Sequence, residues 1–127
     1  MQTRRRLASE SKEIMRVLVV DSRSASRDAL SQLLTADGYE VAFAAALDQV
    51  GAAIQISAPH VMLVDYSDLF VHPQPLTYLI PYCHQFHLIV LGTPAGLHFA
   101  IPELPFESIE KPVDYPALLR RLASLQP

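Results

Sequence analysis

Only one cysteine, Cys83, occurs in the 127 residues. An intrachain disulfide is therefore impossible, and a reducing compartment is expected. Glycine is scarce, with four residues, and tryptophan is absent. Neither a Gly-rich dinucleotide fingerprint nor a phosphate-cradling loop occurs. Positive charge is not in excess either: Lys and Arg number 10 against 13 Asp and Glu, for a net charge of −3. The body of the chain is therefore not expected to bind nucleic acid by charge. Its one basic cluster is Arg4-Arg5-Arg6. No apolar run approaches the ~18 residues of a membrane span. No apolar h-region follows the basic start, so a signal peptide is not expected. These absences predict a cytoplasmic protein with no membrane partner.

What is present is apolar. Half the residues are hydrophobic, 18% are charged, and mean hydropathy is +0.21. That composition suits one globular domain, with more apolar surface than a lone soluble monomer needs. A covered surface, and with it a homodimer, is expected. Residues 1–14 are polar and read as a flexible or partly helical tail. The domain proper is expected over 15–127.

The clearest signal is His60-Val-Met-Leu-Val-Asp65, a short apolar run closed by one acid. Such a run suits a strand buried on both faces of a parallel sheet. A similar run, Arg16-Val-Leu-Val-Val, is closed by Asp21. Between them lie a helix over about Ala25–Ala36, a strand over Tyr39–Ala44 and a helix over Ala45–Ile56. Ser24 or Ser26 is expected to cap the first helix. Leu30, Leu33 and Leu34 would form its buried face, and Gly38 its left-handed stop. Pro59 closes off the second helix.

The second half is less regular. Eight of the ten prolines fall between Pro73 and Pro116. Leu88–Leu91 reads as a fourth strand and Phe106–Glu110 as a fifth. Only Leu76–Phe86 can be helical between strands three and four, and Pro81 shortens it. Leu97–Leu104 holds Pro102, so the next helix is also expected to be irregular. Asp114 caps a last helix to about Leu125, with Leu118, Leu119, Leu122 and Leu125 as its stripe. The alternation predicts an α/β fold, a doubly wound five-stranded parallel sheet of order 2-1-3-4-5, flavodoxin-like. Right-handed crossovers would then bring Asp21 and Asp65 to one crevice at the carboxyl edge.

Asp after the first strand, Asp after the third and Lys111-Pro112 after the fifth form a pattern. With Gly38-Tyr-Glu-Val41 in its place, the chain from about Arg16 to Leu125 resembles the receiver domain of two-component response regulators. The resemblance implies that Asp65 stands in the phosphoacceptor position, facing a histidine kinase or other signalling partner. It implies that Lys111 neutralises phosphoryl charge, and that Asp21 and Asp65 contribute to a Mg²⁺ site. It implies no enzyme activity of the chain's own. Nucleic acid would enter only through an output domain that the sequence does not contain.

Departures weigh against the full mechanism. Ser22 replaces the usual second acid, so Mg²⁺ binding is expected to be weak. The hydroxyl that ends the family's fourth strand falls on Gly92, with Thr93 one residue late. Ser108 stands where the family carries an aromatic switch residue. The turn after the acceptor is Tyr66-Ser67-Asp68-Leu69-Phe70, not the family's usual one. Two functions therefore compete: an atypical receiver that binds and dimerises with little or no dependence on phosphorylation, and a receiver phosphorylated on Asp65. Metal at Cys83, His84, His87 and His98 is disfavoured by their spacing.

Overall fold

The structure, a computed structural model, describes residues 14–70, 79–92 and 104–126. Five strands form one parallel sheet in the order β2-β1-β3-β4-β5. They are β1 Arg16–Val20, β2 Glu40–Ala44, β3 Val61–Asp65, β4 His87–Leu91 and β5 Glu107–Ile109. Among the described residues the α-helices are α1 Ser24–Ala36, α2 Val50–Ser57 and α3 Tyr115–Ser124.

Alternation along the central strands divides the core in two. Leu18, Val20, Met62, Val64, Leu88 and Val90 face Leu47, Val50 and Ile54 on the side of α2. Val17, Val19, Val61, Leu63, Ile89 and Leu91 face Leu34, Leu118 and Leu122, from α1 and α3. Every residue of β3 is buried, which is what a strand covered on both faces requires. The register pairs Val20 with Val64 and Asp65 with Leu91, so the ends of β1, β3 and β4 share one edge.

The local stops follow from backbone chemistry. Gly38 ends α1 at φ +93°, the conformation a residue without a Cβ adopts freely. Ala58 closes α2 at φ 45°, just before Pro59. Asp114 accepts the Ala117 N–H at the start of α3, as the sequence predicts.

Three expectations are corrected. Arg23, not Ser24 or Ser26, holds the N-cap position of α1, and no side chain caps that end. The second helix begins as a 3₁₀ turn, Leu47–Gln49, before α2. Leu33 lies on the exposed side of α1, 48% accessible, while Leu34 is fully buried. Between β3 and β4 the described residues hold 3₁₀ turns, Tyr66–Phe70 and Ile80–Tyr82, the latter with Pro81 in its first positions. The expected irregularity past Leu97 falls mostly outside the described residues.

Candidate functional site

At the carboxyl edge, β1 delivers Asp21 and β3 delivers Asp65. Both are buried, Asp65 to 2% accessibility. The loop after β5 brings Lys111 over the same crevice, and its Nζ donates to Asp65 Oδ1. The Lys111–Pro112 peptide is cis. The sequence expectation that these three residues meet at one edge is realised in space.

Two further donors complete the surroundings of Asp65. The Arg23 guanidinium donates through Nη2 to Asp65 Oδ1 at 2.8 Å. Ser67 donates its backbone N–H to Asp65 Oδ2 at 3.1 Å, and its hydroxyl to the same oxygen. Each carboxylate oxygen thus has two donors, which uses the ≈ four acceptor sites such a group offers. Burial pushes the Asp65 carboxyl up. The hydrogen bonds from Lys111 and Ser67 and the charges of Lys111 and Arg23 outweigh it, and the net position is below the ordinary value.

Asp21 shapes the loop that presents Arg23. Its Oδ1 accepts the Arg23 backbone N–H at 2.9 Å and Arg23 Nε at 3.3 Å. A carboxylate two residues before a backbone donor makes a local turn, which leaves no need for a serine cap. The hydrogen bond from Arg23 to Asp21, followed by the charges of Asp65 and Asp21, raises the Arg23 pKa further.

Ser22 is occupied elsewhere. Its N–H donates to Asp68 Oδ2 at 2.9 Å and its hydroxyl to Asp68 Oδ1 at 2.6 Å. Asp68 is itself buried. It ties the turn after β3 to the loop after β1.

Gly92, at the end of β4, has φ +136°, and a Cβ there would lie 2.6 Å from the Cβ of Tyr66. Thr93 lies outside the described residues. Ser108 is exposed on β5. Arg23, Asp65, Tyr66, Ser67, Leu91, Gly92 and Lys111 line one shallow crevice.

Arg23, Ser67 and Asp68 were not read as site residues from sequence. The available signals were a cation two residues past Asp21 and an acid three residues past Asp65. Among the described residues no three His, Cys, Asp or Glu side chains are grouped to hold a metal. As folded, the crevice does not fit a divalent ion: the two carboxylates that would hold one already share a guanidinium. Of the residues weighed for a second metal site, His87 bonds through Nε2 to Glu107 Oε1 at the opposite edge, and His98 lies outside the described residues.

No protein-family model matches the sequence. No curated protein matches it either. Solved structures do. The response regulator (signal receiver domain) from Bermanella marisrubri is 27% identical, with TM-score 0.73 over 89% of this chain and 98% of that one. The chemotaxis response regulator CheY4 of Vibrio cholerae is 22% identical, with TM-score 0.71 over 89% of this chain and 99% of that one. NtrX from Brucella abortus, solved in complex with ATP, is 24% identical with TM-score 0.72. There the match covers 89% of this chain and 27% of NtrX, so the likeness is to one part of a longer protein.

Proposed function

We propose that this chain, a receiver domain of the response-regulator type, works in signal transduction as a protein–protein interaction and dimerisation module that does not depend on phosphorylation. The observation that carries this reading is the state of Asp65. A carboxylate attacks phosphorus with a free, basic oxygen lone pair. Here both oxygens are engaged by Arg23, Lys111 and Ser67, and the group is less basic than an ordinary aspartate. Beside Lys111, Arg23 places a second cation on the acid itself.

Gly92 supports the same reading. Its φ and its contact with Tyr66 leave no room for a hydroxyl side chain that would bond a phosphoryl oxygen. With Gly92 bare and Ser108 in the switch position, the described residues hold no relay from the acceptor to the far face. Its conformations would then be biased by partners with differential affinity. The partner is a signalling protein or a second copy of the chain.

The alternative is phosphoryl transfer to Asp65 from a histidine kinase, and the meeting of Asp65 with Lys111 favours it. Acetyl phosphate with Mg²⁺ separates the two. In that reaction an Asp65 oxygen bonds to phosphorus as acetate leaves. The expected intact mass is unchanged. A gain of one phosphoryl group that Asp65→Asn abolishes would overturn the proposal. Light scattering tests assembly, with a dimer expected and a monomer at high concentration counting against it.

A further inference from the structure

We propose that Arg23 is the resident cation of the crevice: its guanidinium holds the place between Asp21 and Asp65 where a divalent metal would bind, and it keeps the protein metal-independent. This goes beyond the reading of the chain as an interaction module and does not rest on it.

Mg²⁺ needs octahedral oxygen ligands at about 2.0–2.1 Å and keeps several waters. The acids available at the edge are Asp21, Asp65 and Asp68. Asp21 Oδ1 is held by Arg23 through both Nε and the backbone N–H. Asp65 Oδ1 is held by Arg23 Nη2 and by Lys111. Asp68 gives both oxygens to Ser22. The Ser22 hydroxyl is a donor to Asp68, so its hydrogen already has a partner.

Charge leads to the same conclusion. Asp21, Asp65 and Asp68 bring three negative charges, and Arg23 and Lys111 bring two positive ones. The two acids that Arg23 bonds are offset without a metal. A divalent ion added beside the guanidinium would meet like charge at contact distance. An arginine suits the post because it stays protonated and its planar fork reaches two carboxylates at once. The turn made by Asp21 and the Arg23 N–H fixes the backbone from which the side chain starts. The side chain is still 52% accessible, so it lies over the crevice as a strap and its removal opens the site.

Binding of Mn²⁺, followed by loss of the free-ion electron paramagnetic resonance signal, tests this on the full chain without any phosphodonor. Wild type is expected to take up no Mn²⁺ at millimolar concentration. Arg23→Ala should bind at least about tenfold more tightly, because it removes the guanidinium that bonds both carboxylates and would meet a cation as like charge. Its melting temperature should rise with Mg²⁺, while that of wild type stays flat. Arg23→Gln, close in shape but uncharged, gives the same readout if Arg23→Ala does not fold. Sub-millimolar uptake by wild type would overturn the proposal. So would folded Arg23 variants that bind no better than wild type. Neither result bears on whether the chain works as an interaction module, since no phosphoryl group is present in the assay.

Discussion

Gly92 and Tyr66 are in such close register that a Cβ on the glycine would stand 2.6 Å from the tyrosine Cβ. The end of β4 is kept bare by the residue that follows β3. Gly92→Ala and Gly92→Thr should each cost about 2–4 kcal/mol, combining backbone strain at φ +136° with overpacking. Urea midpoints measure it. The clash is with the Tyr66 Cβ, so Tyr66→Ala should not relieve it. Tyr66→Gly should recover the steric part and leave the strain. Equal relief by both backgrounds would show that the ring, not the Cβ, sets the limit.

Acid should weaken the protein through Asp65 and Glu107. For Asp65, burial works against ionisation but Lys111, Ser67 and Arg23 overcome it. For Glu107, the Arg121 hydrogen bond leads, burial opposes, and His87 adds to the lowering. Arg121 Nε and Nη2 grip the Glu107 carboxylate at 2.7–2.9 Å and tie α3 to β5. Both folded-state pKa values lie below the unfolded ones. The stability they add is present above the unfolded value of about 4 and is lost as pH falls through the folded values. Asp65→Asn and Glu107→Gln should each flatten the acid limb of stability against pH. A limb that keeps its full slope in both variants would assign it to other carboxylates.

Leu33 and Leu34 are neighbours on α1 with opposite fates. Leu34 is fully buried against the sheet, and Leu33 is 48% accessible. Leu34→Ala should cost roughly 2–5 kcal/mol in chemical denaturation, as a cavity in a packed core does. Leu33→Ala should stay within about 0.5 kcal/mol, as surface substitutions do. A large loss at Leu33 in solution would mean that a partner or second copy covers it.

That pair marks where the sequence was legible and where it was not. The strand order could be read because β1, β3 and β4 are apolar runs that only a doubly covered sheet can hide. The meeting of Asp21, Asp65 and Lys111 followed from the topology, since parallel strands put their last residues at one edge. The side-chain partnerships did not follow. Whether Arg23 turns back over Asp65 or out into solvent depends on a rotamer and on the turn that Asp21 builds. Whether Asp68 faces Ser22 depends on the 3₁₀ turn Tyr66–Phe70. Leucines at consecutive helix positions lie about 100° apart, so the periodicity of α1 left the exposed side of Leu33 undecided.

Ser22 looks from sequence like a lost acid, and restoring it should harm the protein. Its N–H and hydroxyl both donate to Asp68, which is 5% accessible. Ser22→Asp turns one donor into a carboxylate facing a buried carboxylate. Losing the charge-assisted bond should cost about 1.5–3 kcal/mol. Repulsion adds to this by raising one of the two pKa values. A folded-state pKa above the unfolded one penalises folding at neutral pH, and the penalty fades as pH falls. The variant should therefore be closer to wild type at pH 5 than at pH 7 in thermal melts. Asp68→Asn in the same chain supplies an amide donor and should recover part of the loss at pH 7. Mg²⁺ alone should not, because Arg23 still spans Asp21 and Asp65. If Mg²⁺ rescued Ser22→Asp with Arg23 intact, the guanidinium would have to leave the crevice at little cost, and Arg23 would be a bystander at the site.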